Sequence, residues 1–230
     1  MSATVLRGLL WSTLLLFSNA TLADQNLLSN GDFEKPGFSF TPDPYWMATN
    51  DYRYLNPGAN EALADWIVAD NGIGQRSFVY HQNRYPVASG NYGLALNEGS
   101  SVTTTFVTQA PGVLNLRLNM TWATGCHCFQ PAPLKVIVDG QEIASFTGPG
   151  SDFHYSDMSH VYEASFTVGL GNHSITLANP QMIGDFREYR IDQVVLMAAP
   201  VPEPEMAVLM IAGLGFLGAV ARRRKARISS

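Results

Sequence analysis

The densest set of reactive side chains is Cys126-His127-Cys128, which holds every cysteine in the chain. Thiolates and an imidazole can bind zinc or copper(I). Three consecutive side chains do not close around one ion unaided, however, and nothing in the sequence brings His154 and His160, the further donors considered, to them. A bridge between cysteines one residue apart suits disulfide torsions poorly. Three uses stay open: no site beyond a structural thiol pair or loop disulfide, a metal, or a redox or intermolecular crosslink. A second chemistry is stacking. Tyr45, Trp46, Tyr52 and Tyr54 in one loop, and Tyr80, Tyr85 and Tyr92 around another, offer flat apolar area with a wet edge, as a sugar platform requires. Packing within the loops is the competing use. Hydrolysis finds less support: Asp43, Asp51, Asp65, Glu98 and Asp152 offer no pair distinguishable as the acid and base of a glycosidase. No Ser-His-Asp set, phosphate loop or zinc-protease helix is present either.

The elements that must position these groups are strands. Leu114, Leu116, Leu118, Met120 and Trp122 alternate with Asn115, Arg117, Asn119 and Thr121. Such a period of two puts one face in a core and the other in water. Val102, Thr104 and Phe106 alternate likewise, as do Tyr162, Ala164, Phe166 and Val168. Asp139-Gly140 between two apolar triplets predicts a tight hairpin. Short strands are expected at residues 64–68, 76–80, 93–97 and 175–177, and a last one over 189–197 with Ile191, Val195 and Met197 on one face. Trp66 and Trp122 fall in strands and are expected in the core. Residues 35–60 read as one long surface loop. Eight or nine strands with Gly- and Asn-rich turns, and no helical period between the two ends, predict an all-β sandwich.

At the N-terminus Arg7 precedes an apolar run over residues 8–17, with small residues at Thr21 and Ala23. This order is that of a secretory signal peptide ending at residue 23. Residues 24–198 then form a single domain, about 175 residues, large enough for a substantial core. Setting aside Arg7 and the five basic residues of the tail leaves eight Lys and Arg. Setting aside Glu203 and Glu205 leaves 17 Asp and Glu, so this stretch is nine units negative. That excess disfavours nucleic acid and anionic lipid and suits a neutral ligand or a cation.

The C-terminal residues 199–227 carry three signals in order. Pro202-Glu203-Pro204 cannot continue a helix or strand. The uncharged apolar run over 206–221 is slightly short of the ~20 residues that cross a bilayer as a helix. The cluster led by Arg222, Arg223 and Arg224 stays cytoplasmic by the positive-inside rule. Gly213, Gly215 and Gly218 match a dinucleotide-binding turn only in spacing, since no strand precedes them.

This arrangement resembles the PEP-CTERM sorting signal, which is paired in exopolysaccharide-producing Gram-negative bacteria with a membrane protease-transpeptidase, exosortase. The resemblance implies that Pro202, Glu203 and Pro204 are its recognition element. It further implies passage through the Sec translocon, an inner-membrane-anchored intermediate with a transmembrane helix at 206–221, and delivery to the cell surface or extracellular matrix.

A second likeness covers residues 26–196. The opening Asn26-Leu27-Leu28-Ser29-Asn30-Gly31-Asp32-Phe33-Glu34, the segments Asp65-Trp66-Ile67-Val68 and Gly93-Leu94-Ala95-Leu96-Asn97, and the closing Ile191-Asp192-Gln193-Val194-Val195-Leu196 are similar to a galactose-binding-like jelly roll of the kind found in carbohydrate-binding modules. That resemblance implies a structural calcium ion where the first and last strands meet, with Glu34 and Asp192 at the acidic positions. Hydrogen bonding of the two carboxylates to turns is the alternative. Together these readings predict an exported, non-catalytic protein that contacts polysaccharide. The alternatives are a matrix component with no specific sugar ligand and a weak glycan-active hydrolase.

Overall fold

The computed structural model describes residues 25–35, 51–70, 76–124, 132–148, 150–152, 157–180, 187–199 and 212–215. The chain divides into two compact units, Met1–Ala198 and Ala199–Ser230. The first is built of strands: β1 (Tyr52–Tyr54), β2 (Gly58–Asn60), β3 (Leu63–Asp70), β4 (Phe78–His81), β5 (Tyr92–Asn97), β6 (Ser100–Thr108), β7 (Gly112–Thr124), β8 (Leu134–Val138), β9 (Gln141–Phe146), β10 (Gly150–Asp152), β11 (Val161–Val168), β12 (Gly171–Ala178) and β13 (Arg187–Ala198). In the second, residues 212–215 are helical, the only described part of the expected span. Among the described residues no helix is long and apolar enough to cross a membrane.

Two sheets make a sandwich. The first runs β1-β4-β5-β13-β7, and the far edge of β7 is shared between antiparallel β11 and the short parallel β10. The second runs β2-β3-β6-β12-β8-β9, antiparallel throughout. The core lies between them. Leu114, Leu116, Leu118 and Met120 of β7 face Val102 and Phe106 of β6 and Ile175 and Leu177 of β12 within one apolar cluster. Each fully buried side chain of this size contributes about 1.5–3 kcal/mol. Trp66 is buried as expected, while Trp122 is half-buried and donates its indole N–H to the Gly148 carbonyl at 2.6 Å.

Three sequence expectations change. The stretch 35–60 is not one loop, because β1 and β2 lie within it, and β10 was also unforeseen; there are thirteen strands among the described residues. These additions are three residues each, too short to show a period. The last strand also does not keep one phase. The register of β13 against β7 shifts between Asp192 and Val195, and Gln193 has φ of 52°. This bulge inserts a residue and reverses the alternation. Ile191, Val194 and Leu196 are therefore buried, and Val195 and Met197 sit on the opposite side from Ile191.

The opening segment fills the bulge. Asn26 donates its side-chain amide to the Val194 carbonyl at 3.1 Å and accepts from the Leu196 and Leu28 amides at 2.9 and 3.1 Å. Leu27 N–H donates to the Leu196 carbonyl and Val194 N–H to the Gly31 carbonyl, each at 2.8 Å. Asn30, in the left-handed region, donates to the Ala64 carbonyl and accepts the Trp66 indole N–H. One short motif thus ties the last strand to β3.

Candidate functional site

On the first sheet the face turned away from the core carries an aromatic layer. Cross-strand register aligns Tyr54 with Phe78, Phe78 with Ala95 and Ala95 with Arg190; a second row pairs Tyr52 with Tyr80 and Tyr80 with Gly93. The rings meet mostly edge to face: Tyr52 to Tyr54 at 4.9 Å, Tyr54 to Phe78 at 6.0 Å, Phe78 to Tyr80 at 6.3 Å and Tyr80 to Tyr85 at 5.5 Å between centroids. The Tyr80 ring lies across β5 at Gly93, where a Cβ would come within 2.6 Å of it.

Residues 82–91, between β4 and β5, fold over this layer. The Tyr85 ring covers the Arg190 guanidinium at 3.5 Å, and Arg84 lies 4.5 Å from the Tyr52 centroid and 5.2 Å from that of Tyr85. Beneath the loop Arg190 Nε donates to Glu188 at 2.8 Å, both side chains being buried. Burial lifts the Glu188 carboxyl above its ordinary range, against the opposing pull of Arg190. Burial also raises the Tyr80 hydroxyl far above the usual tyrosine value.

The expected platform therefore separates into two sets. Tyr80 and Tyr85 are 0% and 8% exposed, a correction to their assignment as sugar contacts: loop 82–91 roofs them over, and they support the surface instead of forming it. Tyr54 is 50% exposed and Tyr52 half-buried. These two remain available, and the hydrogen bond with Tyr52, helped by burial, raises the Tyr54 hydroxyl. Tyr92 is half-buried against His81, 5.3 Å between centroids. Tyr45 and Trp46 lie outside the described residues, as do Cys126, His127, Cys128, His154, Pro202, Glu203, Pro204, Arg222, Arg223 and Arg224. His160 faces Asp157 at 3.3 Å. Sequence reasoning missed Arg84, although its place next to Tyr85, between Tyr80 and Tyr92, was the available signal.

Glu34 and Asp192, from opposite ends of the domain, converge on the same loop. Asp192 accepts from the amides of Ala88 at 2.8 Å, Ser89 at 3.1 Å and Gln193 at 2.6 Å. Glu34 accepts from the amides of Asn91 at 2.6 Å and Tyr92 at 2.9 Å and from the Asn91 side chain at 3.2 Å. Burial pushes the Asp192 carboxyl up to about 7, with the charge of Glu34 adding to it and the three amides opposing. Every oxygen of the two carboxylates thus accepts from an N–H, the turn hydrogen bonding that is the alternative to calcium, and a cation shell would have to take the place of those donors. Among the described residues no group of three or more His, Cys, Asp and Glu gathers, so backbone carbonyls and water would complete such a shell.

Comparison with known proteins gives two findings. Residues 200–225 match the PEP-CTERM protein-sorting motif. The sandwich is similar in fold to carbohydrate-binding modules. TmCBM61, solved in complex with beta-1,4-galactotriose, is 15% identical, with a TM-score of 0.47 over 76% of this chain and 99% of that one. A family 35 carbohydrate binding module from Clostridium thermocellum is 14% identical, with a TM-score of 0.31 over 59% and 89%. A ruminal GH26 endo-beta-1,4-mannanase is 12% identical, with a TM-score of 0.34; 51% of this chain is covered, but only 21% of the enzyme. No curated protein matches the chain.

Proposed function

We propose that the protein is exported, sorted to the cell surface or matrix by an exosortase acting at Pro202-Glu203-Pro204, and there holds polysaccharide without catalysis. The match of residues 200–225 to the sorting motif supports the first part. In this reading the run 206–221 is an inner-membrane intermediate's helix, left behind on processing. The observation that carries the second part is the exposed Tyr54 ring, set edge-on to Tyr52 and backed by buried Phe78 and Tyr80. A rigid, half-exposed aromatic pair offers a sugar its apolar face at little entropic cost. Arg84 beside Tyr52 adds hydrogen-bond donors.

Glu34 and Asp192 would hold a calcium ion that fastens the opening segment to loop 82–91 and the last strand. Its part would be structural, keeping the roof over Tyr80 and Tyr85 closed.

The test is retention of the purified domain on immobilised galactan, mannan, xylan, cellulose and alginate. Tyr54→Ala and Trp46→Ala should reduce retention on whichever polymer holds the wild type. Unchanged retention of both variants would remove the platform, and no retention on any polymer would favour a matrix component with no sugar ligand. Intact-mass measurement in a producing strain with and without its exosortase tests the sorting step.

A further inference from the structure

The second sheet carries a feature that the aromatic layer does not use. Pairing of β2 with β3 passes from Ala59–Ile67 directly to Asn60–Leu63, so Ala64, Asp65 and Trp66 stand opposite no residue of β2. Within this bulge Asp65 has φ of 69°. The distortion sends Trp66 into the core and Asp65 outward. It leaves a hollow of about 370 Å³ lined by Ser29, Ala59, Asp65, Trp66, Ile67 and Thr105, among others. Bulges of this kind re-aim side chains beside binding sites, and left-handed backbone at a non-glycine residue is enriched there.

The groups in the hollow are arranged for one kind of ligand. Ser29 Oγ donates to Asp65 Oδ2 at 2.5 Å, and Thr104 Oγ1 donates to the Asp65 carbonyl at 2.7 Å, fixing both side chain and backbone. Asp65 Oδ1 and the Thr105 hydroxyl have no partner among the described residues. Ile67 is 59% exposed at the rim, an apolar surface beside a carboxylate. An anion would meet Asp65 and a domain nine units negative. A hard cation requires six to eight oxygens, with several carboxylates where it is held firmly, and Asp65 has no acidic companion in the hollow. A carboxylate oxygen, a hydroxyl and an aliphatic side chain together match the adjacent hydroxyls and the C–H face of a neutral sugar. The volume is at the low end of the ~300–1,000 Å³ of small-ligand pockets, suited to a short stretch of glycan.

We propose that this hollow is a second saccharide site for neutral sugar units, and that the domain uses it to crosslink polysaccharide. The crosslinking half rests on the reading of Tyr54 as the first site. One site lies on each sheet, so two strands can be held by one domain, and linking two contacts through a rigid body raises avidity without new interactions.

The experiment uses the whole exported domain and beads coated with each polymer of the panel above. Wild type should agglutinate beads carrying the polymer it retains, and should bind two soluble fragments of that polymer per domain. Asp65→Asn keeps a residue that tolerates left-handed backbone while removing the charge. It should weaken the second binding event about tenfold, the scale of one charge-assisted hydrogen bond, and abolish agglutination. Ile67→Ser, at an exposed position, should do the same with an unchanged melting temperature. Tyr54→Ala should also abolish agglutination while leaving one fragment bound. If both hollow variants agglutinate beads and bind fragments as wild type does, the second site is overturned. Should Tyr54→Ala then remove all binding, the first site alone survives. If wild type binds no polymer of the panel, both readings fall.

Discussion

Gly31 and Val194 meet backbone to backbone where the opening segment enters the bulge of the last strand. Val194 N–H donates to the Gly31 carbonyl at 2.8 Å, and a Cβ placed on Gly31 would overlap the Val194 carbonyl oxygen. The obstacle is main chain on both sides, so no side-chain rotation relieves it. Gly31→Ala is expected to destabilise the domain by about 2–3 kcal/mol, the scale of overpacking at a close contact. A urea midpoint within a few tenths of a molar of wild type would show that the segment adjusts freely.

His173 and Asp139 fasten the turn between β8 and β9 to the turn that leads from β11 into β12. His173 Nδ1 lies 2.6 Å from Asp139 Oδ2, and its Nε2 3.1 Å from the Gly169 carbonyl. The bond to Asp139 raises the His173 imidazole above its ordinary value. The Ser174 amide, then His173, hold Asp139 below its own. A raised histidine stabilises the fold fully below its unfolded value near 6.5, and the gain is lost as pH climbs through the folded value. The depressed Asp139 contributes above its unfolded value near 3.8 and loses that as pH falls. His173→Gln also gives up the ring's stacking on buried Phe106, 5.3 Å between centroids, and should therefore lower the melting temperature more at pH 5.5 than at pH 9. Equal losses at both values would deny the charge a part. The Asp139 carboxylate is half exposed, so the difference is expected to be small.

The places where sequence sufficed are those where one face of a strand alone meets the core. Leu114 to Met120 alternate because only one side of β7 is buried, and Asp139-Gly140 made the turn expected, with φ of 49° and 82°. Phe78, Val79 and Tyr80 are all buried, since loop 82–91 covers the outer face as the sandwich covers the inner. A continuous apolar run of this kind has no period from which to tell which ring is wet. The bulges at Gln193 and Asp65 were equally hidden, because each depends on contacts with segments over thirty residues away: Asn26 and Gly31 for one, Ser29 and Thr104 for the other. Glu34 and Asp192 were legible as a pair through resemblance alone; their common partner, residues 88–92, was not.

A calcium ion at Glu34 and Asp192 has a thermodynamic signature. Without one, Asp192 has a folded value of about 7, above its unfolded value near 3.8. Its contribution is complete below about pH 4 and is lost as pH rises through 7. Chelated protein should thus lose stability from pH 4 to 7 through this group. Calcium at a hundred times its dissociation constant would add about 2.7 kcal/mol, or roughly 5–10 °C for a domain of this size. A melting temperature at pH 8 that does not respond to calcium or EDTA would leave the carboxylates as plain hydrogen-bond acceptors.

Exposed and buried tyrosines of the aromatic layer should respond in opposite ways. Tyr54→Ala removes a half-exposed ring that supports little else, so it should cost under about 1 kcal/mol of stability while reducing retention on polysaccharide. Tyr80→Ala empties the space between Phe78, Tyr85 and Gly93 and should cost about 3–5 kcal/mol. Tyr80→Phe keeps the ring and gives up only the long 3.4 Å bond to the Pro86 carbonyl; it should retain polysaccharide as wild type does. Affinity electrophoresis beside thermal melts separates the two effects. A Tyr80→Phe variant that folds normally yet loses retention would mean that the roof of loop 82–91 opens and that the ligand reaches the layer beneath it.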